Sequence, residues 1–349
     1  MYKFAALFHC KYLTSCISFS KMQGNSKSVR MCLFGWVKKI IKFRVREGTD
    51  LESEILNIIA GPIYLYTILS TWVLLMFEVI PYFYISNLLL HKSFITAVLF
   101  EMMGNWLCMM YVSSKFSPGL AQERCVNDTN NSKHSNNGLL LQTEVAAVAN
   151  KQRLYWYWRP CLSCNISRPP RCYHCPMCYT CILKRDHHCF FARTCIGLNN
   201  QRHFIVFLVW ASLGTTYASL HFVYYFLTVY WSHVSILDVF APFTLIRWIF
   251  GYSSLYLTHT MLTATFLIFF VFLSTTFLIN QVELITKGIT TFESKVIDRG
   301  KIKVTDRRNL NDKIKAVFGS YWALNLLVPL HLKFRPVEDP LNWPSIKIS

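Results

Sequence analysis

The sequence predicts an all-α polytopic membrane protein, with four transmembrane helices and a cytosolic cysteine-rich domain between the second and the third. Three observations carry that prediction. The 349 residues are 53% hydrophobic and 16% aromatic but only 15% charged, which is too apolar for an ordinary soluble domain. Four segments, about Gly61 to Tyr84, Phe94 to Val112, Phe204 to Tyr230 and Leu255 to Asn280, are each long enough to cross a hydrocarbon core of roughly 30 Å. Between the second and third, the stretch from Cys161 to Cys195 gathers eight of the thirteen cysteines and three histidines.

Orientation follows from the basic residues. Residues 1–50 hold ten Lys and Arg, residues 151–203 nine and residues 287–349 twelve, whereas the two short connecting loops hold only Lys92 and Arg247. Positively charged loops stay in the cytosol, so both termini and the cysteine-rich segment are expected there. The formal charge of +18 concentrates just outside the apolar segments, which favours anionic lipid headgroups and an anionic cofactor over nucleic acid.

Residues 1–60 form a basic N-terminal region. Met1 to Phe19 is apolar, but Lys11 interrupts it and no convincing cleavage site follows, so a cleaved signal is not expected. Trp36 to Arg46 interleaves basic and apolar side chains and suits a headgroup surface. Residues 61–114 hold the first two spans, and 115–150 form a polar linker. The cysteine-rich domain occupies 151–203. Residues 204–280 hold spans three and four with a lumenal loop; there, residues 233–254 carry Asp238, Pro242 and Arg247 and read as interfacial or re-entrant. Residues 281–349 form a cytosolic C-terminal region. In span three, the small side chains at Ala211, Ser212, Gly214, Thr215, Thr216, Ala218 and Ser219 mark either close helix packing or the wall of an apolar cavity.

Within the cluster, Cys161 and Cys164 form one Cys-x-x-Cys, Cys175 and Cys178 a second, and Cys178 to Cys181 a third that overlaps it. Two tetrahedral zinc sites need eight ligands. With His174, His188 and Cys195 as the remaining donors, each set has three sulfurs and one nitrogen, and Cys172, His187 and Cys189 are left over. Four ligands packed between His174 and Cys181 do not suit the cross-brace of a ubiquitin ligase. Cys189 lies beside Asp186-His187, and a thiol near a carboxylate-oriented imidazole is the arrangement that yields a thiolate at neutral pH. The competing reading makes Cys189 a further zinc ligand or a silent cysteine.

Cys161-x-x-Cys164, Arg168-Pro169-Pro170-Arg171, His174-Cys175-x-x-Cys178-x-x-Cys181, Asp186-His187-His188-Cys189 and Cys195-Ile196-Gly197-x-Asn199 together resemble the cysteine-rich domain of the DHHC protein S-acyltransferases. The resemblance implies one structural zinc on Cys161, Cys164, His174 and Cys181, and another on Cys175, Cys178, His188 and Cys195. It makes Cys189 the transiently acylated nucleophile, His187 its base and later acid, and Asp186 the group that orients His187. Thr290-Thr291-Phe292-Glu293 is similar to the family's Thr-Thr-x-Glu motif, which supports the site from the membrane side. Val317-Phe318-Gly319 with Trp322 resembles its C-terminal aromatic motif, with Lys313 where an asparagine is usual and Asn309 or Asn311 as substitutes. Phe190-Phe191 and Thr194 depart from the common pattern beside the nucleophile.

The activity so implied moves a long-chain acyl group, such as palmitoyl, from acyl-coenzyme A through acyl-Cys189 to cysteines of membrane-associated proteins. The acyl chain would lie among the helices of an endoplasmic-reticulum or Golgi membrane, with Arg168, Arg171, Lys184 and Arg185 as candidates for the coenzyme A phosphates. The alternative is an inactive membrane zinc scaffold that binds partner proteins. Asn127-Asp128-Thr129, Asn130-Asn131-Ser132 and Asn165-Ile166-Ser167 report on orientation: in a cytosolic loop they are expected to be bare. A glycosidase-sensitive mass shift on any of them would invert the topology.

Overall fold

Inside a bilayer only a helix or a closed barrel can satisfy every main-chain N–H and C=O, and the four apolar segments are helices. The computed structural model describes residues 50–119, 158–231, 240–300, 304–324, 338–339, 341, 343 and 346–348. Helix α1 (Leu51–Leu74) runs on through a π turn, Leu75–Val79, and a last α turn, Ile80–Phe83. Helix α2 is Leu88–Tyr111, α3 is Gln201–Tyr225 with a π turn Phe226–Tyr230, α4 is Ala241–Ile249 and α5 is Leu255–Lys287. All but α4 are long and apolar enough to cross a membrane. The helices outrun the apolar stretches because hydropathy marks only the buried part. Glu52 and Glu54 occupy the first turn of α1 and Lys287 the last turn of α5, where each charge complements the helix dipole. Helix α4 lies in the connection read as interfacial or re-entrant; its nine residues extend only about 14 Å.

The chain divides into two compact units, Met1–Leu56 and Asn57–Ser349, and the contacts that follow lie within the second. The amphipathic stretch 36–46, most of the polar linker and the sequons at Asn127 and Asn130 fall outside the described residues. Asn165 sits in a tight turn with φ 52°.

Helix α3 packs against α2 on one side and α5 on the other. Its small residues split between the two expected uses. A Cβ on Gly214 would come within 2.6 Å of Val98 Cγ1 on α2, so this glycine permits close helix approach. Ala211, Gly214, Thr215 and Ala218 also line a cavity described below. The aromatic ring of Tyr64 on α1 meets Trp106, Phe207 and Phe270 at centroid separations of 5.4 to 6.3 Å, tying all four long helices to one core.

The cysteine-rich segment adds small strands to a mostly helical fold. Strands β1 (Arg159–Cys161) and β2 (Ile166–Arg168), β3 (Tyr173–Cys175) and β4 (Thr180–Ile182), and β5 (His187–Cys189) and β6 (Thr194–Ile196) form three antiparallel hairpins. Asn200, fully buried at the start of α3, joins this segment to the helices. Its Nδ2 donates to the carbonyls of Met109 and Cys195, while its Oδ1 accepts from Gly197 N and Ser114 Oγ.

A second joint lies at the end of α5. Gly288 terminates the helix at φ 71°, a left-handed conformation suited to glycine, and a Cβ there would collide with the Asp306 carboxylate. Helix α6 (Thr291–Gly300) follows. Thr290 Oγ1 accepts from Glu293 N at 3.2 Å, and Glu293 Oε2 accepts from Thr290 N at 2.9 Å, a reciprocal capping box. The same carboxylate takes two bonds of 2.7 Å from Arg171 Nε and Nη2, with both side chains essentially unexposed. Beyond β7 (Val304–Asp306), helix α7 (Leu310–Phe318) is capped by Asn309 Oδ1, which accepts from Asp312 N. Lys313, standing where the resemblance expects asparagine, donates its Nζ to the Thr286 carbonyl at 2.7 Å. Val317 and Phe318 pack on Ile205, Val206 and Ile285. The final strand β8 (Ile346–Ile348) pairs with β7.

These joints give two of the four candidate cations internal partners. Arg171 is committed to Glu293, and Lys184 is buried against Glu338 at 2.6 Å, with Trp343 lying over Arg171 at 4.6 Å. Each is buried and paired with a carboxylate, as an unpaired buried charge would be costly. Glu293→Ala is accordingly expected to destabilise the fold by about 3–5 kcal/mol by stranding Arg171. The pair Arg171→Leu with Glu293→Leu should recover most of that in a thermal melt of detergent-purified protein, and a single-variant loss below about 1 kcal/mol would deny the clamp its role.

Candidate functional site

Alternate residues of a strand point to opposite faces, and the hairpins use this to sort adjacent donors. In β3, His174 pairs across the ladder with Cys181, while its neighbour Cys175 pairs with Thr180. His174 and Cys181 join Cys161 and Cys164 in one group; Cys175 joins Cys178, His188 and Cys195 in the other. Within each group the ligand atoms all lie within 4.8 Å of one another. His174 Nδ1 is 3.2 Å from Cys164 Sγ, and His188 Nδ1 is 3.3 Å from Cys178 Sγ. Three sulfurs and one imidazole nitrogen, with no carboxylate in the set, suit tetrahedral zinc in a closed structural site. His188 Nε2 lies 3.2 Å from Asn57 Oδ1 on α1, which turns the other ring nitrogen towards the sulfurs. Cys172 belongs to neither group; it is buried, and burial pushes its thiol up to about 12.

The same alternation separates the two histidines of the third hairpin. His188 pairs with Cys195 in the register, and His187 and Cys189, two apart, share the opposite face. His187 and Cys189 both line one cavity, and His187 Nδ1 lies 2.7 Å from Asp186 Oδ2. The Asp186 side chain is fully buried. Burial alone would raise its pKa, but bonds from His187, Thr291 N and Gln281 Nε2 hold it below the usual carboxylate range. Thr291 N donates to Oδ1 at 2.6 Å from the first turn of α6, and Gln281 Nε2 to Oδ2 at 2.8 Å from α5. For His187, burial pulls the imidazole down, yet the bond to Asp186 and the neighbouring Cys189 sulfur outweigh it and raise the pKa to about 9.

Cys189 is buried at the wall of an apolar cavity of about 320 Å³. Side chains of α1, α2, α3 and α5 contribute, among them Tyr64, Val98, Phe207 and Phe270, with His187 and Phe191 also lining it. The sequence departures are accommodated here. Phe191 meets Phe270 edge-on, with ring centroids 5.7 Å apart, and its carbonyl accepts from Trp106 Nε1 at 3.2 Å, while Phe190 packs beside His188. Thr194 sits opposite Cys189 in the β5–β6 ladder.

Arg168 and Arg185 are half-buried rather than enclosed. Arg168 Nη1 donates to the Cys172 carbonyl at 2.7 Å, and Arg185 Nη1 to the His174 carbonyl at 2.9 Å. Asn57, Asn200 and Gln281 escaped the sequence reading. Each is an ordinary amide in one dimension, and only Gln281 carried a signal, as a polar residue at the end of an apolar span.

Residues 157–297 match a family model described as DHHC palmitoyltransferase. Palmitoyltransferase ZDHHC22 of Danio rerio is 35% identical over 175 residues, covering 48% of this chain and 60% of that protein. Probable protein S-acyltransferase 13 of Arabidopsis thaliana is 30% identical over 195 residues, covering 54% and 58%. Palmitoyltransferase AKR1 of Gibberella zeae is 27% identical over 202 residues, covering 56% and 25%. The matched region thus spans at most about three-fifths of these relatives.

The two donor groups make metal content the direct test. Purified protein is expected to hold two zinc ions per chain, by elemental analysis. Cys175→Ala should lose metal, Cys189→Ser should keep both ions, and Asn57→Ala should weaken the group containing His188 by about 10- to 100-fold. Loss of zinc from Cys189→Ser would overturn the grouping.

Proposed function

From a chain that carries a DHHC palmitoyltransferase domain over residues 157–297, we propose a protein S-acyltransferase that moves a long-chain acyl group, such as palmitoyl, from acyl-coenzyme A to cysteines of membrane-associated proteins. One observation supports this above all: a buried cysteine, on the same strand face as a carboxylate-oriented histidine, opens on an apolar cavity among four membrane-length helices. The cavity takes the acyl chain, and the thioester carbonyl lies at Cys189.

In the first half-reaction the Cys189 thiolate attacks that carbonyl, the carbon–sulfur bond to coenzyme A breaks, and His187 passes its proton to the departing thiolate. Neutral His187 then takes a proton from the substrate cysteine, whose thiolate attacks acyl-Cys189 and returns the enzyme thiolate. Asp186 keeps the imidazole oriented and stabilises its charged form. Zinc, held by the two Cys₃His groups, supplies rigidity to the hairpins that carry these residues. With Arg171 and Lys184 engaged internally, Arg168 and Arg185 remain as the cations for coenzyme A phosphates. The site and both termini face the cytosol, in an endoplasmic-reticulum or Golgi membrane.

Labelled acyl-coenzyme A should acylate the wild type through a hydroxylamine-sensitive bond and leave Cys189→Ser unlabelled; equal labelling would place the acyl group elsewhere. His187→Ala should slow acylation by roughly 10²- to 10⁴-fold, with partial recovery as rising pH ionises the thiol directly. The wild type should behave oppositely. Because the His187 pKa is raised to about 9, its proton is present below that value and lost above it, so turnover should fall as pH climbs through about 9.

A further inference from the structure

Asp186 is a carboxylate with a fully buried side chain, and a buried charge survives only when its oxygens are supplied with donors. Among the described residues three donors reach it. One is the catalytic imidazole, His187 Nδ1 at 2.7 Å from Oδ2. Another is a main-chain N–H, Thr291 N at 2.6 Å from Oδ1. The third, among the described residues the only side chain outside the Asp-His pair, is Gln281 Nε2 at 2.8 Å from the same Oδ2 that holds His187.

Gln281 is itself 1% exposed, and its amide is spoken for on every side. Its Nε2 also donates to Thr291 Oγ1 at 3.3 Å, and its Oε1 accepts from Gln201 Nε2, on α3, at 3.4 Å. An amide offers two N–H donors and a carbonyl acceptor. Reversing it would set Oε1 against the carboxylate and a nitrogen against the Gln201 donor, so one orientation alone satisfies the site. The chain of bonds runs from Gln201 on α3, through Gln281 on α5, to Asp186 and His187, and His187 shares its strand face with Cys189.

We infer that Gln281 is a positioning residue of the acyl-transfer site: it fixes the plane of the Asp186 carboxylate and so aims His187 at Cys189, making the seating of α5 against α3 a condition of reactivity. The inference rests on the acyltransferase reading above. Gln281 touches neither the acyl donor nor the reacting sulfur; it acts through Asp186.

The experiment measures single-turnover acylation of full-length protein with palmitoyl-coenzyme A. Gln281→Leu, which removes the amide at similar volume, should lower the rate at saturating donor by roughly 10- to 100-fold, the range for a hydrogen bond to a charged group. The half-saturating donor concentration and the zinc content should not change. In an Asp186→Ala background, Gln281→Leu should cost almost nothing more, because a residue acting only through Asp186 has nothing left to position. Full activity of Gln281→Leu overturns the inference, and so does an equal loss in both backgrounds, which would mark Gln281 as mere packing. If Gln281→Leu fails to fold, Gln281→Glu preserves shape and the acceptor for Gln201 while setting a second acid against Asp186. It should show the same rate loss, and wild-type activity in it overturns the inference equally. Absence of label on wild type, scored against Cys189→Ser, would instead fail the acyltransferase reading while leaving the Gln281 contacts in place.

Discussion

The two-residue period of the β5 strand is the constraint on which the rest depends. His187, His188 and Cys189 are consecutive, yet they serve two centres because a strand turns neighbouring side chains to opposite faces. His188 faces Cys178 and Cys195, and His187 and Cys189 face the cavity. A helix would spread three consecutive residues about 100° apart and divide them less cleanly. The Cys₃His donor group and the His187–Cys189 pair are thus two faces of one short hairpin, and rigidity on one face is inherited by the other.

That hairpin is held to the membrane helices by buried polar contacts rather than by apolar packing alone. Asn200 ties β6 to α2 and α3, Asn57 on α1 meets His188, and the Arg171–Glu293 pair fastens the cysteine-rich segment to the first turn of α6. Each of these groups is buried where an unmet hydrogen bond costs about 1–3 kcal/mol. Displacement of the hairpin would therefore break several such contacts together. The arrangement holds Cys189 at a cavity wall to which all four long helices contribute.

The capping box at Thr290 and Glu293 shows how one short motif performs three tasks. It starts α6, it neutralises the buried Arg171, and by setting the helix direction it aims Thr291 N at Asp186. A helix N-terminus carries partial positive charge, so the same geometry favours the ionised carboxylate. The motif read as support for the active site is also a structural clamp, and the two roles share the Glu293 carboxylate.

Much of this was written in one dimension. Hydropathy located four helices, because a span must be long and apolar whatever it packs against. The spacing of Cys161, Cys164, His174, Cys175, Cys178 and Cys181 announced metal, because soft donors at short intervals have few other uses. What the tertiary structure alone decided were the contacts between residues distant in sequence. Arg171 and Lys184 read as available cations, but Glu293 and Glu338 lie 122 and 154 residues away, and no local pattern records such a partner. Asn57 gave no signal and Gln281 only that of a polar residue ending an apolar span, since an amide acquires a role only when folding aims it at one buried carboxylate or one imidazole nitrogen.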